Sequence, residues 1–172
     1  MSLAVTHLVG FGAKRAEISG SCGCTPAYVT GDRTSSITVT SSFTPSGGSV
    51  GNWVNGSTSG FNTSSSWYYT GSFAGENITF DFGSGASIKI TEAQFYWQSS
   101  GGGFEAKWQG SNDGVSYADI GSGNFTAGAS VYTETTLSAN ANGYRYYRML
   151  GISGDFGAGL WLYEAEFKQC TC

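Results

Sequence analysis

Along most of the chain, apolar and polar positions alternate one by one over short runs. In "ENITFDFG", Ile78, Phe80 and Phe82 fall on one face and Asn77, Thr79 and Asp81 on the other. A period of two marks a half-buried β-strand, because successive side chains leave opposite sides of the pleat. Short strand-like runs recur in "SITVTSSF", in "SIKITEAQFYW" with Ile88 and Ile90 on one face, and in "SVYTETTLS", "GYRYYRMLGI" and "GLWLYEAEF". "FEAKWQGS" and "VSYADIGS" flank Asn112, Asp113 and Gly114, residues that tolerate positive φ or bond their own backbone, so this pair predicts a hairpin. Glycine-rich stretches punctuate nearly every junction, and no helical period or internal repeat is visible. About eight strands at this spacing predict an all-β fold, an antiparallel β-sandwich or jelly roll. A lone hairpin is marginal in water, so its apolar face must pack on a second sheet. Phe80, Phe82, Ile88, Ile90, Phe95, Trp108, Tyr147, Leu150 and Leu162 are the expected core. Each large side chain buried there contributes about 2–3 kcal/mol.

Composition narrows the function classes. Only 12% of the 172 residues are charged, while Gly numbers 27 and aromatics reach 15%. That suits strands and turns rather than long amphipathic helices. With net charge -4 and eight scattered Lys and Arg, no basic groove for nucleic acid is expected. No apolar run approaches the ~18 residues of a membrane span. Catalysis is not expected either. His7 is the sole histidine, no Gly-x-Ser-x-Gly elbow is present, and no carboxylates sit in a recognisable acid/base spacing.

Residues 1–32 differ from the rest and read as an arm for docking or oligomerisation, preceding a sandwich over 33–172. Their apolar piece comes before the basic pair Lys14 and Arg15, the reverse of a secretory leader. Cys22, Cys24, Cys170 and Cys172 form two Cys-x-Cys pairs at opposite ends of the sequence. Disulfides, free thiols and a four-thiolate zinc site all fit that count, although zinc sites usually use Cys-x-x-Cys. Sequons at Asn55, Asn62, Asn77 and Asn124 are expected by chance in so Ser/Thr-rich a chain.

Five motifs then occur in an order that resembles discoidin-like domains. These include coagulation-factor C-type domains and the galactose-binding-like carbohydrate-binding modules. The motifs are "NWVNGSTSGFNTSSSWYY", "ITFDFGSGASIKITEAQFY", "WQGSNDGVSYADI" with Tyr117 where Trp is usual, "GYRYYRMLGI" and "YEAEF". The match covers roughly residues 35–168. The resemblance implies a sandwich that serves as a frame, with ligands held by loops at one end. It points to three loops, at residues 52–74, 97–104 and 153–159. Phe156 matches the position where glycan-binding members carry an aromatic. Asp155, Trp67, Tyr68, Asn62 and Trp97 would complete a stacking and hydrogen-bonding site, although Trp67 also matches a packing position beneath the loop. Arg148 matches a structural arginine.

The resemblance also implies a calcium site from Asn55, Thr58 and Glu164, with Asn55 standing where the family carries Asp. A hydrogen-bonded Asn–Glu pair is the alternative. The expected role is non-catalytic recognition of cell-surface glycans. The arm and the Gly/Ser-rich style also resemble bacteriophage virion accessory proteins. That implies an extracellular or virion-surface location without a classical signal peptide, with the arm binding a larger assembly or driving self-association. The alternatives are a structural decoration protein and a protein-binding adhesion domain of the same fold.

Overall fold

A computed structural model describes residues 23–58, 67–69, 71–99, 103–127, 132–137, 140–155 and 160–172. Among them run ten strands and no α-helix. The strands are β1 (Ala27–Val29), β2 (Thr38–Ser41), β3 (Trp67–Tyr69), β4 (Asn77–Asp81), β5 (Ile88–Ser99), β6 (Gly103–Ser111), β7 (Ala118–Ala127), β8 (Tyr132–Thr136), β9 (Tyr146–Asp155) and β10 (Leu160–Thr171). A short 3-10 turn spans Val50–Val54. All pairings are antiparallel and build two five-stranded sheets. One runs β1-β10-β5-β8, with β3 also on β10, and the other β2-β4-β9-β6-β7. The predicted sandwich is therefore the observed fold.

The core between the sheets is aromatic. Phe95 stacks on Trp97 at 5.6 Å and on Trp108 at 5.8 Å, and Phe80 meets Phe167 edge-on at 4.9 Å. Such pairs contribute about 0.5–1.5 kcal/mol each beyond their burial. Strand parity decides which residues enter. Ile78 and Phe80 of β4 point in, while Asn77, Thr79 and Asp81 point away. Of the expected core, Phe80, Ile90, Phe95, Trp108, Tyr147 and Leu162 are buried, and Phe82 and Ile88 pack at its margin. Leu150 is a correction. It lies three residues from Tyr147 on β9, so alternation turns it outward and Met149 takes the inner place. Trp53, on the 3-10 turn, fills the core against Phe80 at 5.9 Å.

The hairpin forms between β6 and β7, with Trp108 opposite Ile120. Its second arm begins at Ala118, so Val115 and Tyr117 belong to the turn. The Asp113 carboxylate shapes that turn by accepting the Val115 and Ser116 N–H groups at 2.8 and 2.7 Å. These bonds, with one from the Ser111 hydroxyl, pull its pKa down to about 2. Gly114 takes φ +72 beneath the Tyr146 ring, where a side chain would be strained.

Ala27–Val29, within the stretch expected as an arm, forms a strand of the sandwich. β1 pairs with the end of β10, and a disulfide joins Cys24 to Cys170 with Cα atoms 6.0 Å apart. Cys172 is disulfide-bonded as well, and no described cysteine is free. Residues 1–22, Cys22 and most of the expected arm among them, lie outside the described residues.

Candidate functional site

Backbone pairing brings the described strand ends that flank the three expected loops to one rim. Leu160, at the start of β10, lies opposite Tyr69 of β3 and Ser99 of β5. Asp155, at the end of β9, lies opposite Gly103 of β6 and forms an isolated bridge with Ser72. The chain thus crosses between sheets three times at the same end: after β3, from β5 to β6, and from β9 to β10. The crossings are tied together. Phe73 N–H donates to the Gly154 carbonyl at 3.1 Å, and Gly75 N–H to the Gly151 carbonyl at 3.0 Å. Gly154 sits at φ +90, and a Cβ there would lie 2.7 Å from Phe104 Cα. Glycine is what lets β9 press so closely on β6.

The sequence-predicted ligand residues divide. Asp155 is exposed on the rim. Trp67 and Tyr68 lie in β3, which pairs with the first residues of β10. Phe156 and Asn62 lie outside the described residues. Trp97 is a correction. It is 0% exposed, its ring stacked on Phe95 and meeting Phe104 edge-on in the core, so it offers no face to a ligand. Parity with Ala93 and Phe95 on β5 turns it inward.

Polar residues beside the rim were not foreseen. The Glu105 carboxylate accepts from Asn124 Nδ2 at 2.8 Å and from the Ser153 hydroxyl at 3.2 Å, across β7, β6 and β9. Alternation along "FEAKW" marks Glu105 as outward, but the partners depend on sheet order. Farther along the same outer face, Arg148 Nε donates to Gln109 Oε1 at 2.7 Å and its guanidinium lies 3.8 Å over the Tyr117 ring. Arg148 thus has the structural pairing its motif implies. Arg145 grips Asp81 through two bonds of 2.7 and 2.8 Å, which hold that carboxyl below its ordinary range.

Of the expected calcium ligands, Glu164 lies on β10, and the donor set does not fit the ion. Calcium takes six to eight oxygen ligands. Glu164, 1% exposed, has Oε1 occupied by the Arg33 guanidinium and Oε2 by the Gly56 N–H at 2.8 Å. Asn55 Oδ1 accepts from the Ser57 N–H at 2.9 Å. Thr58 is exposed. Among the described residues no group of three or more His, Cys, Asp or Glu is placed to hold a metal. Arg33 was not among the sequence candidates. Its 131-residue separation from Glu164 left no local signal.

No protein-family model and no curated protein matches the chain. Solved structures do resemble it. The family 32 carbohydrate-binding module from C. perfringens NanJ, in complex with galactose, aligns with TM-score 0.58 at 12% identity, covering 82% of this chain and 98% of that one. The family 32 module of AlyQ, in complex with 4,5-unsaturated mannuronic acid, aligns with TM-score 0.54 at 22% identity, covering 76% and 92%. Truncated AlyQ with its carbohydrate-binding and alginate lyase domains aligns with TM-score 0.58 at 19% identity; 85% of this chain is covered, but it spans only 34% of that one. At these identities the likeness is one of fold, an antiparallel β-sandwich.

Proposed function

We propose that the chain is a non-catalytic glycan-binding module whose ligand meets the rim described above. The observation that carries this reading is the convergence of the strand ends that flank three sheet crossings, with Asp155 opposite both Gly103 and Ser72. A rigid double sheet holding loops together at one end is a frame on which recognition is commonly built. Two structures of similar fold are carbohydrate-binding modules in complex with galactose and with an unsaturated mannuronic acid, which supports the ligand class.

A pyranose presents an apolar C–H face and a ring of hydroxyls. In this proposal Phe156 stacks on that face and Asp155 accepts from a hydroxyl. Trp67, Tyr68 and Asn62 contribute from the loop around β3. A shallow site of this kind binds weakly one at a time, so display in several copies on a larger assembly would raise its avidity. The Cys24–Cys170 bridge fits an oxidising surrounding and supports a place outside the reducing cytosol.

The test is a glycan array followed by calorimetry on the best hit. The expected result is saturable binding that Phe156→Ala weakens by about tenfold or more, equal to about 1.4 kcal/mol, with the folded spectrum unchanged. A folded protein that binds nothing on an array of neutral, amino and uronic sugars would refute the proposal and favour a structural role.

A further inference from the structure

The surroundings of Glu164 carry an inference independent of the glycan reading. Arg33 is 4% exposed and faces a carboxylate that is 1% exposed. Three segments meet there. The loop after β1 supplies Arg33, whose Nε donates to the Gly31 carbonyl at 3.1 Å and whose own N–H donates to the Val54 carbonyl at 2.7 Å. The chain after the 3-10 turn supplies the Gly56 N–H, and Asp32 and Asn55 form a bridge between these two loops. A Cβ on Gly56 would lie 2.6 Å from the Gly31 backbone, so the loops are in direct contact. β10 supplies Glu164 and the Ala165 carbonyl, which accepts from Arg33 Nη2 at 2.6 Å.

We infer that Arg33 is a built-in cation that ties these three segments together, as a bound divalent ion would, so that the sandwich needs no calcium. Glu164 brings one negative charge and Arg33 one positive charge into a dry setting. A buried carboxylate left without a cation is strongly disfavoured, so some positive group must sit against it. Adding a divalent ion beside the guanidinium would set three positive charges against Glu164 and the nearby Glu166. Burial already weighs against the charged guanidinium, while Glu166 and Asp32 favour it. Guanidinium suits the place because its Nη2 meets the Glu164 carboxylate and the Ala165 carbonyl while its Nε donates to the Gly31 carbonyl, so one cation holds three acceptors.

The test uses thermal melts of the full chain in chelator and in millimolar calcium. The two wild-type midpoints should coincide. A calcium-dependent rise of several degrees, or a heat of calcium binding by calorimetry, overturns the inference. Arg33→Met should lower the midpoint by about 10 °C, because it strands a buried charge. The double variant Arg33→Met, Glu164→Met should recover part of that loss, since neither charge is then stranded. If the single variant does not fold, recovery of folding in the double decides the matter. A single variant that melts with wild type, or a double no better than the single, overturns the inference.

Discussion

Reducing the disulfides should destabilise the protein measurably, and the size of the effect follows from where the bridge sits. Cys24 and Cys170 are 146 residues apart in sequence. Closing a loop of that length removes about 17 cal/mol/K of entropy from the unfolded chain, worth about 5 kcal/mol at 25 °C. Residual unfolded structure and solvation trim this, so about 2–5 kcal/mol is expected on full reduction. With a urea dependence of about 2 kcal/mol/M for a domain of this size, the midpoint should fall by about 1–2.5 M. The slope should rise as well, because an uncrosslinked unfolded chain exposes more surface. Urea unfolding followed by Trp fluorescence, with and without reductant, measures both. The double variant Cys24→Ser, Cys170→Ser should lose less than full reduction does. Cys172 keeps its own bond two residues along and still restrains that end of β10. Coincident oxidised and reduced curves, with free thiols verified by mass spectrometry, would refute the reasoning.

Two further outcomes follow. Trp97→Ala removes a fully buried ring and should cost about 3–5 kcal/mol in urea unfolding. Glycan affinity of the folded fraction should stay unchanged; a selective loss of affinity would return Trp97 to the binding surface. The depressed Asp113 pKa means that its ionised form favours the folded turn. That contribution is present above the ordinary value of 3.8 and disappears as pH drops toward about 2. Asp113→Ala should therefore flatten this part of the acid-unfolding curve, and an unchanged curve would contradict the assignment.

Local pattern was legible where one face of a strand is apolar. Ile78 and Phe80 on β4, and the turn at Asn112 to Gly114, could be read directly because period and turn chemistry act over a few residues. Parity was harder where both faces carry large side chains. Tyr146, Tyr147, Met149 and Leu150 crowd β9, and only the neighbouring strands select Tyr147 and Met149 for the interior. Trp97 looked like a loop aromatic because Gly101, Gly102 and Gly103 follow it, yet β5 continues to Ser99. Trp53 stood in a polar stretch whose 3-10 turn has no strong periodic mark. The rim was legible as three loops through the resemblance, but their meeting depends on strand order. The pairing of Arg33 with Glu164 depends likewise on β1 and the 3-10 turn packing around β10.

The bridge between Cys24 and Cys170 also has a mechanical meaning. Tension applied to the polypeptide on the outer sides of these two cysteines would travel through the sulfur link, bypassing the 146-residue separation between them. The rim borne by the unloaded segment would keep its shape while being pulled. The load would reach the ladder between β1 and β10 once both that link and the bond at Cys172 had been cut by reduction.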